Sequence, residues 1–92
     1  MKTLFYHSKS LQGVSRCTVA AIVDNGTAKF GVSRCSAKDS FTKKRGRTIA
    51  TGRAEARPFE TMVTPEANLI PWFVAKAKGI AEIVLNKPEA VR

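Results

Sequence analysis

The sequence has 92 residues, enough for one small domain spanning residues 1–92 but too few for a large buried core. Hydrophobic residues make up 43% of the chain and charged residues 25%, which is typical of a globular protein and excludes a disordered one. Sixteen Lys and Arg against seven Asp and Glu give a net charge of +9, which predicts a polyanionic partner.

The two cysteines, Cys17 and Cys35, are too few for a disulfide framework, and the sequence has no CxxC pair or histidine cluster for zinc. Residues 1–6 lack the long apolar segment of a signal peptide, and the other apolar stretches are too short to span a bilayer. We therefore expect a cytosolic protein with reduced thiols, no metal, no cofactor and no membrane partner.

The first third of the chain predicts β-strands. Residues 3–7 form a short β-prone run, and two longer runs, 14–23 and 28–35, flank the pair Asn25-Gly26. Asn-Gly tolerates the two positive φ angles of a type I′ turn, so the two longer runs predict a β-hairpin.

The register of this hairpin follows from its turn. With Asn-Gly at the tip, Ala21 lies opposite Phe30 and Val19 lies opposite Val32. One face of the hairpin is then apolar and the other mostly polar, as a half-buried antiparallel sheet requires.

A helix is predicted from Ala37 to about Ala56, with Ser36 as its N-cap and Pro58 as its limit. Its apolar face is weak, with Phe41, Ile49 and Ala56 at helical spacing, so most of this helix is expected to face solvent. Residues 59–63 are interpreted as either a fourth strand or an extended connector.

A second helical region is predicted from Thr64-Pro65-Glu66, with an interruption at Pro71 and an end near Asn86. After Pro71 an apolar stripe recurs at helical spacing: Phe73, Ala77, Ile80, Ala81 and Val84. Together the elements predict an α+β fold, an antiparallel sheet of three or four strands with one or two helices packed on one face.

The positive charge is concentrated in residues 29–57, where nine basic and two acidic residues give +7 of the total +9. An ordinary charged run is a solvated surface, but here the near-absence of acids from the run favours an anionic partner. The first candidate binding residues are Lys43, Lys44, Arg45 and Arg47. Behind them come Arg53 and Arg57, and then the hairpin residues Arg16, Lys29 and Arg34.

No constellation of catalytic residues is found in the sequence. His7 has no acid or nucleophile near it and is interpreted as a surface residue. Cys17 falls on the apolar face and predicts an inert buried thiol, while Cys35 lacks a partner base. Trp72 is the aromatic side chain that we expect to be most exposed. The sequence therefore predicts a binding protein and not an enzyme.

Three stretches carry a resemblance to known proteins: Gly31-Val32-Ser33-Arg34-Cys35-Ser36, Lys38-Asp39-Ser40-Phe41, and Gly46-Arg47-Thr48-Ile49-Ala50. Together they resemble the hairpin-to-basic-helix unit of phage accessory proteins. The size and charge of the chain also resemble those of phage-encoded anti-CRISPR proteins that inhibit type I-F complexes.

This resemblance implies a monomeric inhibitor in the host bacterial cytoplasm. It would bind a type I-F Cas ribonucleoprotein surveillance complex, contact Cas subunits and guide RNA, and block hybridisation of target DNA. The net charge of +9 excludes an inhibitor that acts as an acidic DNA mimic. The alternatives are a small basic phage protein that binds free DNA or RNA, and a structural protein that pairs with an acidic protein.

Overall fold

The computed structural model describes residues 1–8, 16–35 and 43–86. Within these ranges lie six elements: β1 (Lys2–His7), β2 (Arg16–Asp24), β3 (Thr27–Cys35), α1 (Lys43–Ala56), β4 (Glu60–Val63) and α2 (Leu69–Asn86). The strands form one antiparallel sheet in the order β1-β2-β3-β4, so each strand pairs with its neighbours in sequence. An antiparallel four-stranded sheet with two helices confirms the predicted α+β class.

The β2–β3 hairpin has the predicted register, with Val19 opposite Val32. Asn25 and Gly26 have φ angles of 50° and 76°, the two positive values that a type I′ turn requires. The segment 60–63 is a strand and not a connector, and it pairs with the first half of β3.

α2 packs on the predicted apolar face of the sheet. The buried residues of the two layers form one core: Cys17, Val19, Ala21, Ala28, Phe30, Val32, Phe73, Ala77, Ile80 and Ala81. Phe30 is fully buried; its ring stacks on Phe73 and meets Trp72 edge-on, with ring centroids 6.0 Å apart in both pairs. Trp72 is thus half-buried, and the expectation that it is the most exposed aromatic side chain is wrong.

α1 lies on the opposite face of the sheet, which carries Thr18, Ala20 and Gly31. This face is covered and not open to solvent, since Thr18 and Ala20 are fully buried. A Cβ atom on Gly31 would overlap the backbone carbonyl of Ala50 in α1, and one on Gly46 would overlap the Thr18 hydroxyl. Glycine at these two positions lets the helix lie directly on the strands.

The packed side of α1 consists of small residues four positions apart: Gly46, Ala50 and Ala54. It differs from the predicted apolar stripe, because Ala56 is exposed and Ile49 is only half-buried. The helix ends at Ala56 as predicted. Its predicted N-cap, Ser36, lies outside the described residues.

α2 begins later than predicted. Residues 64–68 are not helical, and Asn68, with a φ angle of 60°, precedes the first helical residue. The Asn68 carbonyl accepts a hydrogen bond from the Trp72 amide at 3.1 Å. Pro71 does not interrupt the helix, because amides in the first turn have no intrahelical acceptor and proline is tolerated there.

Candidate nucleic-acid interface

Three cationic side chains lie near His7 at one end of the sheet: Arg16 of β2, and Lys43 and Arg47 of α1. The Nδ1 atom of His7 is 2.9 Å from the hydroxyl of Thr18. Burial lowers the pKa of His7, and the charges of Lys43, Arg47 and Arg16 lower it further. All three cations therefore act on one imidazole, and together we call them the basic patch.

The fold assembles the basic patch around Thr18. His7 pairs with Thr18 across β1 and β2, and Arg16 begins β2 two residues earlier. Gly46 of α1 packs on the same threonine, which brings the first turns of the helix to this end of the sheet. The Ser8 carbonyl accepts hydrogen bonds from Nε and Nη2 of Arg16 at 3.4 and 3.3 Å, so the arginine is held in place.

An aromatic ring adjoins the basic patch. Phe5 is 40% exposed, and the Cζ atom of Arg47 lies 5.8 Å from the centroid of its ring, within cation–π distance. Phe5 and His7 are two residues apart on β1 and so face the same side of the sheet. The sequence analysis assigned neither residue to a site. Their alternation with Leu4 and Tyr6 along β1 was nevertheless a signal that Phe5 and His7 share one face of the sheet.

A trough runs between β1 and α1, away from the basic patch. Its first part has a volume of about 520 Å³ and is lined by Phe5, Arg47, Thr48, Thr51, Gly52 and Glu55. The second part, of about 400 Å³, shares two of these residues and is lined by Met1, Thr3, Ile22, Asp24, Thr27, Lys29, Thr51 and Glu55. The charged residues that line the first part are Arg47 and Glu55, and those that line the second are Asp24, Glu55 and Lys29.

Three of the nine predicted binding residues form the basic patch, and four others lie apart from it. Lys44 and Arg45 are exposed on α1 but point to other sides of the helix, because successive residues are rotated by about 100°. Lys29 is exposed at the far part of the trough. Arg57 is exposed just after α1 ends.

The remaining two predicted binding residues, Arg34 and Arg53, join the helices to the sheet. Nη1 of Arg34 donates to the Val84 carbonyl at 3.2 Å, in the last turn of α2, where carbonyls lack intrahelical donors. Nη1 of Arg53 donates to the Val32 carbonyl of β3 at 2.8 Å. Both hydrogen bonds are internal to the fold, so we do not assign these side chains to the interface.

Cys17 lies in the core, fully buried, as predicted. Burial raises the pKa of its thiol to about 11, so the group is protonated near neutral pH. His7 is half-buried rather than a surface residue. Within the described ranges, no three His, Cys, Asp or Glu side chains are grouped so as to hold a metal ion.

Comparisons with protein families, with curated proteins and with solved structures found no match to this chain. In the part of the chain that the structure describes, neither helix has the length and apolar character needed to cross a membrane. The candidate interface therefore rests on its own geometry and charge.

Proposed function

We propose that this protein binds the phosphate backbone of a nucleic acid through its basic patch, and that it acts by binding and not by catalysis. The observation that carries the proposal is the packing of β1, β2 and α1 around Thr18, which brings Arg16, Lys43 and Arg47 to the end of the sheet where His7 lies. Three like charges held together repel one another in the free protein, and a row of phosphates would offset that repulsion and release counterions.

The residue types favour phosphate over an acidic protein surface. Arginine offers a planar fork of donors and lysine a mobile point charge, and both suit phosphate oxygens. From Lys43 to Ala54 the sequence contains no acidic residue, so pairs within this part of α1 do not neutralise the cations. A phosphate beside His7 would raise the pKa of the imidazole and make it a further donor.

The resemblance to anti-CRISPR proteins supports a more specific form of the proposal. In that form the nucleic acid is the guide RNA of a type I-F Cas ribonucleoprotein, and the bound protein blocks hybridisation of target DNA. All three residues of the patch come from this one chain, which favours a second candidate: a small basic phage protein that binds free DNA or RNA.

The patch is tested by the double variant Lys43→Gln/Arg47→Gln, with binding of a short RNA measured over a series of salt concentrations. We expect affinity to fall about tenfold or more, because two charge-assisted contacts are lost. With three phosphate contacts, a plot of the logarithm of the binding constant against the logarithm of the salt concentration has a slope of about −2. In the variant, which keeps one of these contacts, the slope is shallower, at about −0.7.

Two matched double variants remove the same charge elsewhere. Lys44→Gln/Arg45→Gln changes neighbouring residues of α1, and Lys76→Gln/Lys78→Gln changes exposed residues of α2 on the other face of the sheet. We expect the α2 variant to stay near the wild-type affinity, with the second α1 variant between the two. Equal losses in all three would mean that only net charge matters, and the patch would then have no role of its own.

Binding to free RNA and to an assembled type I-F Cas ribonucleoprotein separates the two candidates. Binding to the complex that is much tighter than to its guide RNA alone supports the inhibitor. Equal affinity for the complex and for the free RNA supports the second candidate, a protein that binds free nucleic acid. Failure to bind either the complex or the free RNA overturns the proposal.

A further inference from the structure

The trough has one wall from α1 and a floor from β1, which is joined in the second part of the trough by residues of β2 and β3. The wall follows every fourth residue of the helix, through Lys43, Arg47, Thr51 and Glu55, and the floor follows alternate residues of the strand from His7 to Met1. Twelve helical steps span about 18 Å and six strand steps about 20 Å, so the wall and the floor match in length. The trough is therefore an extended groove that begins at the basic patch.

The part of the trough next to the patch has the chemistry of a site for a planar ring. Unstacked bases bind proteins by lying on aromatic rings, and Phe5 supplies such a ring beside the Arg47 guanidinium of the basic patch. Gly52 has open space where a side chain would stand, so nothing fills the groove at that point. Its volume of about 520 Å³ lies within the range of sites for small planar ligands, about 300–1,000 Å³.

Polar groups beyond the ring suit the edge of a base. Thr51 and Glu55 line both parts of the trough, and their side chains can accept hydrogen bonds from exocyclic amino groups. The sequence of groups along the trough is thus cations, aromatic ring, and then hydroxyl and carboxylate. A nucleotide presents phosphate, base face and base edge in the same order.

We infer that the trough holds an unpaired base, stacked on Phe5, while the basic patch at its end holds the phosphates. This inference rests on the proposed function and gives the class of nucleic acid, which is single-stranded DNA or RNA. A base in a duplex is stacked and paired, so it cannot enter the trough without being unpaired and flipped out of the stack.

The inference is tested with two oligonucleotides of equal length, one carrying bases throughout and one with a run of abasic sites. Both present the same phosphates to the basic patch. We expect the base-bearing strand to bind about tenfold more tightly, and a duplex of the same sequence to bind more weakly than the single strand. Equal affinity of the abasic strand would overturn the base site and leave phosphate binding intact. Failure of every oligonucleotide to bind would overturn the proposed function itself.

Variants of the trough give a second readout. Phe5→Leu removes the ring and keeps an apolar side chain, and Phe59→Leu is its control, because Phe59 is 42% exposed outside the trough. We expect Phe5→Leu to lower affinity for the base-bearing strand about tenfold and to leave affinity for the abasic strand unchanged. A loss that is the same for both strands would mean that Phe5 only supports the fold.

Gly52→Gln fills the trough from α1, and Gly79→Gln makes the same change on α2, where a side chain also meets open space. Both substitutions raise helix propensity, so both variants are expected to fold, which thermal unfolding would verify. Gly52→Gln should remove the preference for the base-bearing strand, whereas Gly79→Gln should retain it. If both variants keep that preference, the base does not lie in the trough.

Discussion

The two faces of the sheet hold their helices by different means, and adjacent residues of β3 show the difference. Phe30 points to α2 and fills the core with a large ring, whereas Gly31 points to α1 and contributes no side chain at all. The α2 layer is held by buried apolar area. The α1 layer is held by close approach, with the helix backbone on the strands. Close approach leaves the flanking side chains of α1 available, and the basic patch and the trough lie on that flank.

The largest expected effect on stability is that of Phe30→Ala. It removes a fully buried ring that contacts Phe73 and Trp72, so the free energy of unfolding should fall by about 4 kcal/mol. Phe30→Leu keeps most of the volume and should cost about 1 kcal/mol. Urea denaturation measures both changes. A loss below about 1 kcal/mol for the alanine variant would mean that buried apolar area is not what holds α2 on the sheet.

A smaller loss is expected from Gly31→Ala, on the other face. The added methyl group would meet the backbone of Ala50 and Ala54, and a backbone cannot move aside as a flexible side chain can. We expect a loss of about 2 kcal/mol in urea denaturation, together with weaker RNA binding because α1 shifts. Gly79→Ala, in open space on α2, is the control and should stabilise by up to about 1 kcal/mol. Unchanged stability and affinity in Gly31→Ala would contradict the close approach.

The smallest expected effect is on the pH dependence of stability, and it concerns His7, which lies beside the basic patch on the α1 face of the sheet. The folded state lowers the pKa of His7 below 6.5, so the unfolded chain takes up this proton first as the pH falls. The contribution of His7 is thus fully present above about pH 6.5 and is lost as the pH falls through its folded pKa. His7→Asn should reduce the drop in the urea midpoint between about pH 7.5 and about pH 5. An identical drop in the variant would assign the dependence to other groups.

Sequence patterns predicted the α2 side of the molecule better than the α1 side. Alternation of apolar residues about Asn25-Gly26 defines the hairpin register, and the stripe through Phe73 and Ile80 defines the buried side of α2, because large apolar residues give a clear period. Gly46, Ala50 and Ala54 give almost no such signal, so the packing of α1 could not be predicted.

The candidate site was only partly predictable for a related reason. The run of cations from Lys43 to Arg47 is local in sequence and was identified. Its division into patch residues and outward-facing residues depends on how α1 lies on Thr18. The contributions of His7 and Phe5 come from a strand nearly forty residues earlier, and only the pairing of β1 with β2 brings them to the helix.

The hydrogen bond from Arg53 to Val32 also bears on self-association. The Phe30 carbonyl accepts the Phe59 amide at 2.6 Å, and the Val32 carbonyl, two residues further, points to the same side of β3. Among the described residues, β4 pairs with β3 only as far as Phe30, opposite Glu60, and an unpaired strand edge invites pairing with a strand of another molecule. The guanidinium of Arg53 occupies the first carbonyl of that edge. An arginine that the sequence counted among the binding cations thus takes up a strand carbonyl, and a further strand could pair there only by breaking this hydrogen bond.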